Sequence, residues 1–415
     1  MAIINSNDTY QRYSYILKEL FIMIKGETIK LQTERLESIM IINDYIYNLF
    51  PIMRIKVTID ADLYFKIVKN KEDVKFKIRV QKFYRKNMDN FPSGLYEDYF
   101  SKTFSLILDD EGEDFNSELR KLQYGEKQTN DLFATKNTVE FFLFDSELMK
   151  TMKQTINIIL KDGTVSSAIG YFASRLNITN LLMTKADNIN TYDQLIIPPM
   201  KLSNALAYLD TFYGIHECGS IMYFGIERGY IIKYNGRCTA YEPNESKETT
   251  IIVPKTDSIM ANNICQLQKA GQPKAKMIIA DYNSLTFYDE TVTKDILEGK
   301  EVRIINLYTG EIEDTLENDE DGRRKIITNR GENTYFKSIY KAQMTSSEAV
   351  ITAVFRDIDL TCILPNKKFN FVFDDILLSR KYKGTYILAK SDILLVRESN
   401  ELRPTVTCVF RKSLE

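Results

Sequence analysis

Apolar and polar side chains alternate with period two at both ends of this chain. The clearest case is residues 74–80, where Val74, Phe76, Ile78 and Val80 alternate with Lys75, Lys77 and Arg79. Successive side chains of an extended backbone point to opposite faces, so this segment predicts a strand with one apolar and one cationic face. Ile55, Val57 and Ile59 repeat the pattern, as do Phe104, Leu106 and Leu108. Val139–Phe144 is a continuous apolar run between Asn137 and Asp145, short enough for a buried strand. Residues 30–145 therefore predict an antiparallel barrel or sandwich. Toward the other end, Ile358, Leu360, Cys362 and Leu364 alternate, and Phe369, Phe371 and Phe373 follow Pro365-Asn366. Gly384 opens Thr385–Ala389, and Val406, Cys408 and Phe410 close the chain. A second barrel is expected there.

Between the two the period changes to that of a helix. After Asp162-Gly163, one stripe holds Val165, Ala168, Ile169, Phe172, Ala173 and Leu176. A second helix is predicted after Pro198-Pro199, with Leu202, Ala205, Leu206, Leu209, Phe212 and Tyr213 on one face. Ser203 is its expected N-cap and Gly214 its stop. Ser220–Ile226, the turn Glu227-Arg228-Gly229 and Tyr230–Tyr234 then read as a β-hairpin. In residues 235–335 only short strands stand out, such as Thr249–Val253 and Met277–Ala280. The expected organisation is an N-terminal segment (1–30), a first barrel (31–150), a small α/β domain (151–235), an irregular β or linker region (236–335) and a second barrel (336–415). The fold class is α+β, mainly β: two barrel-like domains with an inserted small α/β domain.

Composition narrows the function. At 415 residues the chain is long enough for several cores, and 44% apolar with 27% charged residues is ordinary for a globular protein. A net charge of −2 leaves no cationic excess to neutralise phosphates. The longest apolar candidate, the twelve-residue run Tyr13–Ile24, carries Lys18 and Glu19 and is too short to span a bilayer. With no basic n-region or small-residue cleavage site, folding in a cytoplasm is expected. Cys218, Cys238, Cys265, Cys362 and Cys408 are odd in number and widely spaced, which predicts no disulfide framework. One His among 415 residues removes most imidazole chemistry, and 25 Tyr with 23 Phe point to strand cores and subunit interfaces.

Few residues carry candidate chemistry. His216 and Cys218 are two apart, and Cys238 could join them as a third zinc ligand. Without a fourth ligand an unligated loop is the stronger reading. Glu317, Asp319, Asp321 and Gly322 resemble half of a calcium loop, but Thr328 at its twelfth position cannot supply the bidentate carboxylate. Asp109, Asp110, Glu111, Glu113 and Asp114 form a second acidic run, read as an exposed loop. A glycosidase-like carboxylate pair is not selected by any spacing. No catalytic, cofactor-binding or metal residue is expected, and the chain is read as a non-enzyme.

Three passages resemble the central baseplate hub proteins of contractile-tail bacteriophages, and more distantly the tube-like head of type VI secretion spike proteins. They are the helix Gly163–Leu176, the stretch LIIPPMKLSNALAYLDTFYGIHECGSIMYFGIERGYIIKY from Leu195 to Tyr234, and KAQMTSSEAVITAVFRDIDLTCILPNKKFNFVFDD from Lys341 to Asp375. The resemblance implies that both barrels are tube domains sharing one fold, and that the chain is a structural virion protein of the tail baseplate. It further implies a homotrimer forming a pseudo-sixfold ring, with tail tube proteins above, a trimeric spike below and wedge proteins around it. DNA would pass through the lumen without specific binding, and no membrane is entered. A tube or wedge component remains the alternative, followed by a β-rich carbohydrate-active enzyme.

Overall fold

The structure is a computed structural model and describes residues 9–86, 97–107, 136–176, 180–216, 220–233, 248–253, 266–268, 276–280, 285–288, 302–306, 312–314, 324–328 and 349–412. The first region holds β1 (Thr9–Ile24), β2 (Glu27–Lys30), β3 (Leu36–Asp44), β4 (Ile52–Asp60), helix α1 (Ala61–Lys69), β5 (Val74–Lys86), β6 (Glu97–Leu106) and β7 (Lys136–Asp145). The small domain follows with helix α2 (Ser146–Met152), β8 (Thr155–Thr164), α3 (Val165–Leu176), β9 (Leu181–Met183), β10 (Thr191–Lys201), α4 (Leu202–Phe212), β11 (Ser220–Phe224) and β12 (Gly229–Lys233). Seven short strands come next: β13 (Glu248–Val253), β14 (Gln266–Gln268), β15 (Lys276–Ile279), β16 (Thr286–Tyr288), β17 (Val302–Asn306), β18 (Ile312–Asp314) and β19 (Arg324–Thr328). The last are β20 (Val350–Arg356), β21 (Lys368–Phe373), helix α5 (Ile376–Tyr382), β22 (Thr385–Glu398) and β23 (Glu401–Lys412).

Alternation along β5 decides its faces as the sequence predicts. Val74, Phe76, Ile78 and Val80 are at most 1% exposed. On the outer face Lys77 and Arg79 reach Glu19 of β1 at 3.3 and 3.5 Å, and Arg79 pairs with Asp98 of β6 at 3.0 Å. Eight strands close into an antiparallel barrel in the order β22, β3, β4, β7, β6, β5, β1, β23. Lys25 and Gly26, both at positive φ, form the two-residue turn between β1 and β2.

The C-terminal hairpin β22–β23 belongs to two β units at once. Lys390–Val396 of β22 pair with β3, whereas Phe369 and Asn370 of β21 pair with Tyr386 and Thr385 at its start. The crossing point is a bulge between Leu388 and Lys390, where the carbonyl of Ala389 accepts from the Tyr45 amide at 3.0 Å. Burial of Tyr386, Ile387, Leu388 and Ala389 in succession follows, because protein covers both faces there. The second unit runs β14, β15, β13, β21, β22, β23, β20, β16, and β14 also pairs with the start of β1. Its pairs β13–β15 and β13–β21 are parallel, unlike any in the first barrel. The two β units are therefore not copies of one strand order, contrary to the expectation of a shared fold.

Three further expectations change. Ile358, Leu360, Cys362 and Leu364 are all buried, yet Leu360–Cys362 is a 3-10 turn rather than a strand. The Asp359 side chain accepts from the Thr361 amide at 3.0 Å and starts that turn. Pro198 and Pro199 lie inside β10, where the β8–β10 register slips between Ile197 and Met200. Proline has no N–H for the ladder, so the slip falls where the bond would be missing. Helix α4 starts at Leu202 with Lys201 before it, so Ser203 is inside the helix and not its cap. Gly214 at φ +73 ends it as predicted.

The small domain packs α2, α3, α4 and the antiparallel β8–β10 pair around Val165, Phe172, Leu195, Leu206 and Leu209. Thr164 and Ser167 exchange side chain to backbone bonds of 3.0 and 3.2 Å at the start of α3, a reciprocal cap. The three-stranded sheet β11–β12–β9 joins this domain to the barrel. Ile221, Tyr223, Tyr230 and Ile232 face the barrel core, whereas Phe224 and Ile231 face the helices. One sheet thus divides two cores by strand alternation alone.

Candidate functional site

His216 lies in the loop that follows α4, but it is not exposed. It is fully buried, with Nε2 3.0 Å from Thr184 Oγ1. Thr184 Oγ1 also accepts from the Lys233 amide at 3.1 Å. Nδ1 then faces Asp187 at 3.7 Å, and Asp187 is ion-paired with Lys233. Burial drives the His216 pKa down to about 4, outweighing the Asp187 charge, so the ring is neutral near pH 7. The line of hydroxyl, imidazole and carboxylate has the order of a hydrolase triad. Its hydroxyl, however, sits on a residue 7% exposed and is engaged on both sides, so no substrate reaches it. The cluster ties segment 184–187 to β12 and to the chain leaving α4.

The other sequence candidates do not join it. Cys218 and Cys238, the run Asp109–Asp114 and Glu317–Gly322 lie outside the described residues. Among the described residues no three of His, Cys, Asp and Glu gather as a metal site. Cys362 and Cys408 are buried and form no disulfide.

A larger polar network, invisible in the sequence, lies where the small domain meets the barrels. Tyr223 donates to Asn43 Oδ1 at 2.6 Å. Asn43 in turn donates to Ser391 Oγ at 3.0 Å, and Tyr45 meets the same oxygen at 3.0 Å. Next to it is a cavity of about 40 Å³, room for a few waters, lined by Tyr45, Tyr99, Tyr223 and Glu227 among others. The hairpin tip Gly225–Arg228 brings Glu227 into hydrogen-bond contact with the Tyr99 hydroxyl of β6. Tyr15 of β1 accepts from the Leu360 amide at 3.0 Å, and Lys82 of β5 lies 3.5 Å from the buried Asp359. Burial holds the hydroxyls of Tyr15, Tyr99 and Tyr223 protonated by raising their pKa well above the usual value. These groups join three parts of the chain and hold no substrate-sized opening.

Surface apolar residues cluster on the short helices. Phe65 and Val68 on α1 are 66% and 38% exposed, and Ile376 and Leu377 on α5 are 69% and 74% exposed. Ile159 and Ile196, cross-strand partners of β8 and β10, form a third exposed pair.

The architecture is similar to that of known tail proteins. The tail protein from Neisseria meningitidis MC58 matches with a TM-score of 0.50 at 10% identity, over 96% of this chain and 97% of that one. The 43 kDa tail protein of prophage MuSo2 from Shewanella oneidensis matches at 9% identity and TM-score 0.47, over 94% and 97%. A Francisella PdpA–VgrG complex chain matches at 9% identity and TM-score 0.49, over 98% of this chain and 53% of that one. No curated protein matches in sequence. The fold class is the one seen in the Neisseria tail protein. Within it, the chain belongs to the Bacteriophage PBS1 gene 109 protein family, whose pattern covers residues 3–413.

Proposed function

We propose that this protein is the central hub of the tail baseplate. Three copies form a ring of six β units around a channel, joining the sixfold tail tube to a trimeric spike. The observation that carries this reading is the pair of β units, each of eight strands among the described residues, built on one shared hairpin within a single chain. A threefold ring of such chains presents six β units, so one chain type mates with threefold and sixfold neighbours. Because the strand orders differ, the six are alike in the number of described strands rather than in connectivity. Each unit also carries one short helix with exposed large apolar residues, Phe65 and Val68 on α1 and Ile376 and Leu377 on α5. Exposed apolar residues of this size fit subunit contacts, and obligate interfaces bury roughly 2,000–5,000 Å².

In this reading the partners are further copies, the tube, the spike and the surrounding wedge proteins, and the protein works in the virion after assembly in the host cytoplasm. DNA passes through the channel without specific binding, in keeping with a net charge of −2. Catalysis has no part in it. Among the described residues no helix is long and apolar enough to cross a membrane. Phe65→Asp and Leu377→Asp test the contact faces. Each variant should fold, with wild-type circular dichroism, yet be lost from assembled particles. Incorporation of both at wild-type levels contradicts the reading.

A further inference from the structure

Each β unit carries one helix that buries a single face. In α1, Leu63 and Ile67 turn toward the core. At about 100° per residue, Asp62, Phe65, Val68 and Lys69 then share the opposite side, and all four are exposed. In α5, Leu378 and Tyr382 turn inward, which leaves Ile376, Leu377 and Arg380 exposed. Each helix thus shows two large apolar side chains to solvent. Each also has an exposed acid before that pair and an exposed base after it: Asp62 and Lys69 for α1, Asp374 and Arg380 for α5. Among the described residues these four charged side chains form no hydrogen bond or ion pair.

Topology keeps the two faces of one chain apart. Helix α1 follows β4, whose Lys56 pairs with Ser38 of β3, and Ser38 pairs with Val396 near the end of β22. Helix α5 lies at the other end of that strand, where the Tyr386 hydroxyl donates to the Tyr382 carbonyl at 2.8 Å. From Tyr386 to Val396 the strand advances roughly 33 Å, at about 3.3 Å per residue. Neither helix can cover the other within the chain.

We propose that α1 of one copy docks against α5 of the next, and that this contact, repeated around the threefold axis, closes the ring. The pairing rests on the ring reading above and names its interface. A patch that meets itself makes a twofold dimer, whereas threefold closure needs two different patches on every chain. Charge sets the direction of the pair. Asp62 to Lys69 and Asp374 to Arg380 each span about 10 Å along a helix axis, at about 1.5 Å per residue. Antiparallel helices therefore bring Asp62 to Arg380 and Lys69 to Asp374, with Phe65 and Val68 against Ile376 and Leu377 between them. Parallel helices set acid on acid and base on base, which repel. An apolar centre inside a charged rim is the usual layout of a stable protein contact.

The test is cysteine cross-linking in assembled particles, with copies at the junction of tube and spike counted by electron cryo-microscopy. Under a mild oxidant, the double variant Phe65→Cys/Leu377→Cys should give covalent species of up to three copies and none larger. The wild type and either single variant should give the monomer. Three copies at the junction with no cross-link in the double variant overturn the pairing and leave the ring standing. Covalent dimers from a single variant overturn the pairing too, because they show a helix meeting its own copy. A copy number other than three overturns the ring reading, and the pairing with it. Charge reversal reads the same contact without cysteine. Expressed without the wild type, Asp62→Arg and Arg380→Asp should each lower the yield of particles at least about threefold, and the two together should restore it. Reversals that fail to rescue one another overturn the pairing.

Discussion

Phe76 and Lys77 are neighbours on β5 with opposite fates. Phe76 is fully buried against Phe141, ring centroids 5.2 Å apart, whereas Lys77 lies on the outer face 3.3 Å from Glu19. Phe76→Ala should cost about 3–5 kcal/mol through lost burial and a residual cavity. Lys77→Ala should cost under about 1 kcal/mol, because its ion pair is half exposed and screened. Denaturant midpoints of the two variants check the contrast, and equal losses contradict the assignment of faces. His216 shows the limit of residue-level reading. His216→Ala leaves a cavity and removes the partner of the buried Thr184 hydroxyl, so a loss of roughly 2–3 kcal/mol is expected in the same assay. A neutral outcome would contradict the packing of the His216 ring against Thr184. The alternation at β5 is local and needs no other part of the chain. The surroundings of His216 come from Thr184, Asp187 and Lys233, and Thr184 is 32 positions away.

At the scale of elements, two glycines separate turn chemistry from helix propensity. Gly26 has φ +86, Gly170 lies in α3, and a Cβ at either meets nothing within 4 Å. Gly26→Ala should cost about 1 kcal/mol, because the left-handed conformation disfavours any side chain. Gly170→Ala should stabilise by about 0.5–1 kcal/mol, as expected for an exposed helix interior. Thermal unfolding of both variants reads the opposite signs, and a shared sign contradicts the backbone assignment at one of them. The α3 stripe was legible because a helix repeats its face every 3.6 residues. The 3-10 turn Leu360–Cys362 was not, because its residues are buried from several directions and alternate only by coincidence. The prolines of β10 were read as a boundary, since nothing local reveals that β8 pairs around them with a shifted register.

For the whole molecule, the essential contacts are distant in sequence. Tyr15 opposes Leu402, and Asn43 bonds Ser391 across 348 positions. The period-two strands at both ends were readable, but no local pattern says that the C-terminal hairpin completes the N-terminal barrel. Nor could the parallel pairs around β13 be foreseen, because parallel and antiparallel neighbours leave similar runs of apolar residues in a buried strand. The network of Tyr223, Asn43 and Ser391 stayed hidden for the same reason: its members come from three regions that meet only in the finished fold. This closure from both ends gives the chain two β units without a linker between them, and the hub reading rests on that feature. Electron cryo-microscopy of the assembled tail, with the fold placed in the density, tests it most directly. The account predicts three copies at the junction of tube and spike, contributing six β units around one channel. Six copies in one ring, or single copies bound at the periphery, would contradict it.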